Sequence, residues 1–206
     1  MFYKDTLLIS TTNKGKILEI TTLLRADRLF EGVKLISLSD LGFCEIPEEN
    51  GATFEENAII KAQFYKKHTG HDVICDDSGF CVDILNGEPG VYSARWADNG
   101  DFGVAINKIY TKIEKLGVRG VDFGAYFECA LAITLNDKIV TSAGQVFGKL
   151  ATKPAGFDGF GYDPVFIPNG CTQTFAEMGV VKKGKMCHRS AAFKNLITKI
   201  HNIDDL

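Results

Sequence analysis

Apolar and polar positions along this chain switch repeatedly between the two-residue period of a strand and the 3.6-residue period of a helix. Thr6–Ser10 (TLLIS) predicts a first strand, and Ile17, Ile20 and Leu24 then recur at amphipathic helical spacing, joined to it by the polar turn Thr11-Thr12-Asn13-Lys14-Gly15-Lys16. Val33–Leu38 predicts a second strand. A helix from Thr53 to about Lys67 opens on the capping-box pattern Thr53-x-x-Glu56. Val73–Cys75 begins a third strand, which is expected to break at the turn-forming residues Asp76-Asp77-Ser78-Gly79. Phe102, Ile106, Ile109, Ile113 and Leu116 mark another helix. Tyr126–Leu135 and Lys138–Leu150 read as a long hairpin around Asn136-Asp137, Asp163–Ile167 as a short strand, and Phe193, Leu196, Ile197, Ile200 and Ile203 as the apolar face of a closing helix. With no internal repeat or linker, the expected architecture is a single α/β domain over residues 1–206, mixing parallel and antiparallel strands.

Composition narrows the partners. The chain has 206 residues, 45% of them hydrophobic, and a net charge of −3, which suits a globular protein able to bury a core without staples. Lys and Arg are scattered and outnumbered by acids, so the basic stripe that duplex nucleic acid requires is missing. No apolar run reaches membrane-spanning length, and Met1-Phe2-Tyr3-Lys4-Asp5 lacks the pattern of a signal peptide, so no membrane association and a cytoplasmic location are expected. The cysteines Cys44, Cys75, Cys81, Cys129, Cys171 and Cys187 form no C-x-x-C pair and are expected as reduced thiols, Cys75 and Cys129 serving as small hydrophobes in apolar runs. His68 and His71 are expected on a solvated helix end.

Candidate chemistry lies in segments far apart in the chain. Strand geometry would send the side chains of Asp76 and Asp77 to opposite faces, so one could hold a divalent cation while the other orients water; a plain turn is the competing reading. Lys14 and Lys16 occupy the first turn of a helix, where the macrodipole disfavours cations and an anionic guest would relieve the conflict. The phosphate-loop pattern G-x-x-x-x-G-K-[ST] is not met there. Glu48 and Glu49 could complete a cation site with the two aspartates, and magnesium suits a site built from one or two carboxylates and phosphate oxygens. The segment Gly156–Pro164 interleaves glycines with Phe157, Phe160 and Tyr162, so a ring could stack on a nucleobase, unless the loop is only a tight turn. His188 and Arg189, preceded by Lys182, Lys183 and Lys185, gather donors that suit a keto purine and repel an amino group.

Taken in order, these stretches resemble the inosine/xanthosine triphosphate pyrophosphatase family. The resemblance rests on Thr11-Thr12-Asn13-Lys14-Gly15-Lys16, Glu48-Glu49-Asn50-Gly51-x-Thr53-Phe54-x-Glu56-Asn57-Ala58, Asp76-Asp77-Ser78-Gly79, Pro89-Gly90-Val91-Tyr92-Ser93-Ala94-Arg95, Gly159-Phe160-Gly161-Tyr162-Asp163-Pro164, Phe175-Ala176-Glu177-Met178 and Cys187-His188-Arg189. It implies an α/β fold with a long mixed central sheet flanked by helices, two lobes with an active-site cleft between them, and a homodimer. The implied activity converts ITP, dITP and XTP, with Mg2+, to the monophosphate and pyrophosphate, clearing non-standard purines from the nucleotide pool. By matched position, Asp77 is the implied general base, Glu49 and Asp77 the nearest metal ligands, and Asp76 and Glu48 supporting acids. Lys16 is implied in catalysis and, with Thr11, Thr12, Asn13, Lys14 and Gly15, in phosphate binding. Ser78, Phe160, Gly161, Tyr162, Asp163, Lys183, His188 and Arg189 are the implied nucleotide or base contacts. Two positions depart from the family pattern: Thr12 replaces a glycine, and Cys187 replaces a serine.

Two other readings remain at this level. A pyrophosphatase for pyrimidine or modified nucleotides would use similar carboxylates with another base pocket. A non-catalytic nucleotide sensor would keep Lys16 and the aromatic loop but has no use for Asp76, Asp77 and Glu49 together.

Overall fold

A computed structural model describes residues 5–118, 122–135 and 138–204, with side chains given to residue 202. The first four residues, the Asn136-Asp137 turn and the Ile203 side chain therefore lie outside the described residues. The chain forms two compact units: one takes the residues up to Asp77, Cys129–Gly144 and those from Arg189 on; the other takes Ser78–Glu128 and Gln145–His188.

The first unit begins with β1 (Thr6–Ile9) and α1 (Lys14–Ala26), followed by β2 (Lys34–Ser37) and α2 (Phe54–Thr69). β1 pairs in parallel with β2 and with β3 (Asp72–Val82), Leu8 facing Ile36 on one side and Val73 on the other. A strand buried on both faces reads as an unbroken apolar run, and Leu7-Leu8-Ile9 is one. Ile20 and Leu24 of α1 pack with Leu7, Ile9 and Ile74, with Leu131 and Ile133 of β4 (Gly124–Leu135) and with Phe193 and Leu196 of α5 (His188–Asp204). Helix α2 starts as its sequence requires: Thr53 Oγ1 accepts from Glu56 N, and the Glu56 carboxylate accepts from Thr53 N.

The second unit contains α3 (Phe102–Lys115), the outer part of β5 (Lys138–Leu150), β6 (Phe166–Pro168) and α4 (Phe175–Met186). Its core is aromatic: Phe80, Phe127, Phe166 and Phe175 meet with ring centroids 4.9 to 6.0 Å apart. Among the described residues the strands form one sheet in the order β2-β1-β3-β4-β5-β6, mixed because β6 runs antiparallel to β5.

Three expectations change. Asp76-Asp77-Ser78-Gly79 is no turn, because β3 runs without a break from Asp72 to Val82; all but Ser78 in that strand are buried, and burial overrides the local turn tendency. The stretch expected as the strand Asp163–Ile167 is a 3-10 turn over Asp163–Val165 that leads into β6. Helix α4 was not foreseen. Gly179, at φ 74° and ψ 160°, breaks its periodicity, yet its start carries a second capping box between Thr174 and Glu177. Leu116, expected on the buried face of α3, lies just past the helix end and is 53% exposed.

Candidate functional site

The turn before α1 is built by its own side chains. Thr11 Oγ1 accepts from Asn13 N at 3.2 Å, and Asn13, the N-cap, accepts from Lys16 N at 3.1 Å. These bonds hold the helix end open, with the N–H groups of Lys14 and Gly15 among those for which helix geometry supplies no acceptor. No acid occupies the first turn. Thr12 and Lys14 are exposed, whereas Lys16 turns inward and forms an ion pair with Asp76 Oδ1.

Asp76 lies at the centre of one cluster. Its Oδ2 accepts from Arg189 Nε at 3.0 Å, from Arg189 Nη2 at 2.9 Å and from the Cys129 thiol at 3.1 Å. Arg189 Nη1 donates to Glu19 of α1. Burial by itself would raise the Asp76 pKa, but Arg189, Lys16 and Lys61 outweigh it and hold the carboxyl well below its usual range. Although Oδ1 is ion-paired with Lys16, it is buried and accepts no hydrogen bond of good geometry. Cys75, expected as a small hydrophobe, also carries a polar contact: its Sγ lies 2.6 Å from Ser10 Oγ, and burial pushes its thiol up to about 12.

Asp77 points to the other face of β3, as strand alternation demands, into a second cluster. Lys61 Nζ lies 2.8 Å from Asp77 Oδ1 and 3.3 Å from Glu49 Oε2, so one ammonium gathers both carboxylates. Asn57 Nδ2 donates to Asp77 Oδ2 at 3.1 Å while Asn57 Oδ1 accepts from Gly51 N at 2.8 Å, which fixes the amide orientation. A side chain at position 51 would meet Glu56 Cβ at 2.7 Å and Asn57 Oδ1 at 2.8 Å, so the Asn50-Gly51 approach needs glycine. Burial raises the Asp77 pKa to about 6 against the opposing pull of Lys61 and Lys16. For Lys61, burial favours the neutral amine, but Asp77 and Glu49 reverse that and raise its pKa.

Lys61 and Asn57 are the residues that sequence reasoning passed over. Their signal was the spacing Thr53, Asn57, Lys61, which puts all three on one face of α2. Of the four acids considered for a metal, Glu49 and Asp77 converge through Lys61, Asp76 is engaged by cations, and Glu48 is exposed. Among the described residues no group of three or more His, Cys, Asp or Glu could hold an ion. Two hard carboxylates beside an incomplete shell still fit magnesium, which takes its remaining ligands from water and substrate phosphates.

In the second unit, Lys183 is buried with its ammonium 2.6 Å from Asp163 Oδ2 and 4.3 Å from the centre of the Phe160 ring. Asp163 Oδ2 also accepts from Phe160 N at 2.8 Å, closing the loop on itself. His188 stacks on Phe127 at 4.8 Å with an interplanar angle of 10°. Tyr162 belongs to the core: its ring stacks on Phe80, and its hydroxyl donates to the Ser93 carbonyl at 2.9 Å. Gly161 lies 3.7 Å from the Phe102 ring by the position a Cβ would take, and Ser78 is half-buried on β3. The Pro89–Arg95 motif finds a structural reason here, since Ser93 Oγ accepts from Phe80 N and donates to Gly90 O. Cys187 is buried among the same core residues.

Known proteins carry the same arrangement. The chain is 44% identical over 191 residues to the dITP/XTP pyrophosphatase of Bacillus licheniformis, covering 92% of this chain and 94% of that one. It is 41% identical over 193 residues to the dITP/XTP pyrophosphatase of Zymomonas mobilis, covering 93% and 90%. The solved structure of a HAM1 protein from Coxiella burnetii superposes with a TM-score of 0.83 at 33% identity, over 97% of this chain and 100% of that one. Residues 7–199 match the Ham1 family, and the chain belongs to it.

Proposed function

We propose that this chain is a nucleoside triphosphate pyrophosphohydrolase that converts the non-standard purine nucleotides ITP, dITP and XTP to monophosphate and pyrophosphate. The observation that carries the reading is the assembly, within one compact unit, of Lys16, Glu49, Lys61, Asp76 and Asp77 from separate stretches of the chain. The names of the relatives support the same substrate class.

Phosphoryl-type transfer needs positioning and charge neutralisation more than covalent help. Lys16 and the open N-terminus of α1 meet triphosphate oxygens, and Lys61 neutralises charge next to Asp77. Glu49 and Asp77 would hold Mg2+, which when bound screens the phosphate oxygens and orients them. Asp77, fixed by Asn57 and Lys61, orients the water for in-line attack on the α-phosphorus and takes its proton; a carboxylate with a pKa near 6 is well matched to that task close to neutral pH. Glu48 and Asp76 support the charge balance. Thr11, Thr12, Asn13, Lys14 and Gly15 form the phosphate turn. Ser78, Phe160 to Asp163, Lys183 and His188 are assigned to the nucleoside, with Phe160 as the ring available for stacking. The chain is further proposed to act as one functional domain, as a homodimer, in the cytoplasm.

A nucleotide panel tests the reading. ITP, dITP, XTP, ATP, GTP, UTP and dTTP are assayed with and without Mg2+, and the product is identified as monophosphate or diphosphate. Magnesium-dependent release of pyrophosphate from ITP and XTP ahead of ATP is expected. Preference for UTP or dTTP would replace the purine assignment, and absence of turnover on all of them would remove the enzymatic one.

A further inference from the structure

We propose that Arg189, with Cys129, is a positioning residue: it locks Asp76, Asp76 in turn sets the Lys16 ammonium, and Arg189 therefore acts on turnover and not on the choice of base. This rests on the pyrophosphohydrolase reading above and reassigns a residue whose sequence context pointed to base contact.

The geometry is specific. The Arg189 side chain is 0% exposed, and so is that of Asp76. Nε and Nη2 of the guanidinium both address Asp76 Oδ2, while Nη1 addresses Glu19. Glu19 stands three residues after Lys16 in α1, so the two share a helix face. One guanidinium thus ties the start of α5 to β3 through Asp76 and to α1 through Glu19, on either side of Lys16. Within this set of Lys16, Glu19, Asp76 and Arg189, only Lys16 retains appreciable exposure, at 18%.

A buried ion pair is a poor source of stability, because desolvation offsets most of the attraction. Four charges gathered in this way are better understood as a device that fixes one of them. Cys129 completes it: a thiol donor on β4 holds Asp76 Oδ2 at 3.1 Å, so that Oδ1 is left to face Lys16. An arginine committed to two carboxylates is badly placed to judge purine against purine, but a small shift of Lys16 would be felt in the transition state of every triphosphate.

The test uses the full chain and the variants Arg189→Lys, Asp76→Asn, Cys129→Ala and Cys129→Ser, with thermal unfolding to establish that each is folded. Arg189→Lys is expected to lower kcat roughly 100-fold, as misplacement of a catalytic group does, for ITP, XTP and ATP alike. The ITP/ATP ratio of kcat/KM should stay within about twofold of the native ratio, a difference well under 1.4 kcal/mol. Asp76→Asn should leave the half-saturating Mg2+ concentration unchanged. Cys129→Ala should lower kcat, and Cys129→Ser, which restores a donor, should recover it. A collapse of the ITP/ATP ratio in Arg189→Lys would return Arg189 to base recognition, and a weakened Mg2+ requirement in Asp76→Asn would make Asp76 a metal ligand. Unchanged kcat in folded Arg189→Lys would reduce the cluster to packing. Should Arg189→Lys fail to fold, the two Cys129 variants decide between positioning and packing in the same way. Pyrophosphate affinity, measured by calorimetry with Mg2+, separates this proposal from the function it rests on: a native chain that hydrolyses no nucleotide overturns the function, and equal pyrophosphate affinity in native and Arg189→Lys protein then overturns the positioning role.

Discussion

Asp76 and Asp77 are adjacent, both buried, and electrostatically opposite. Asp76 lies among Arg189, Lys16 and the Cys129 thiol and stays charged; Asp77 lies where burial wins and its pKa rises to about 6. Two carboxylates with separated protonation behaviour can be an anchor and a base, respectively. Replacing Asp77 with asparagine keeps the shape and removes the proton acceptor, so kcat should fall by about 10²- to 10⁴-fold while KM changes little. Steady-state kinetics on ITP check this. The same carboxyl imposes a pH signature on the metal-free protein. Its folded pKa lies above the unfolded value, so the native state binds more protons than the unfolded state between about pH 4 and pH 6. The contribution of Asp77 to stability is therefore present in full below that window and is lost as pH rises through 6. Urea unfolding at pH 5 and pH 7.5 should show a smaller gain on acidification in Asp77→Asn than in the native chain, and equal slopes would mean that Asp77 is not the titrating group.

Helix α2 shows how an element delivers its site. The Thr53–Glu56 capping box sets its first turn, and Asn57 and Lys61 then follow at four-residue steps toward Asp77. Thr53→Ala removes the cap and should cost about 1 kcal/mol by chemical denaturation, at constant m-value, if the cap acts on the helix alone. The capping box, the TLLIS strand and the apolar stripe of α3 were legible in sequence because each is set by near neighbours. Helix α4 was not, since Gly179 and Gly184 interrupt its pattern and only the cap at Thr174 remained as a signal. Asp76 to Gly79 looked like a turn because side-chain chemistry alone cannot reveal that a strand is covered on both faces. For the site, Asp77, Glu49 and Lys16 could be named from motifs, while Lys61 resembled any helix lysine until Glu49 and Asp77 met around it. Arg189 was recognised but misjudged in its contacts, because its partners Asp76 and Glu19 lie 113 and 170 residues away.

At the scale of the molecule, a net charge of −3 hides a strongly local balance. In the first unit, Lys16, Lys61 and Arg189 are interleaved with Glu19, Glu49, Asp76 and Asp77, all of them half-buried or buried. Such an arrangement should gain stability when a magnesium–pyrophosphate complex arrives, because the ligand brings phosphate oxygens to Lys16 and Lys61 and brings a cation to Glu49 and Asp77. A ligand that binds only the folded state stabilises it by about 2.7 kcal/mol at one hundred times its dissociation constant. For a chain of this size that corresponds to a rise in Tm of roughly 5–10 °C. Calorimetric melting should show the rise with pyrophosphate and Mg2+ together, a much smaller one with either alone, and its loss on addition of EDTA. The decisive comparison is Lys16→Met, which leaves Glu49 and Asp77 in place: it should reduce the joint shift while sparing the small effect of Mg2+ alone. If the joint shift survived intact in that variant, the phosphate-receiving role of the α1 terminus would be wrong, whatever the carboxylates do.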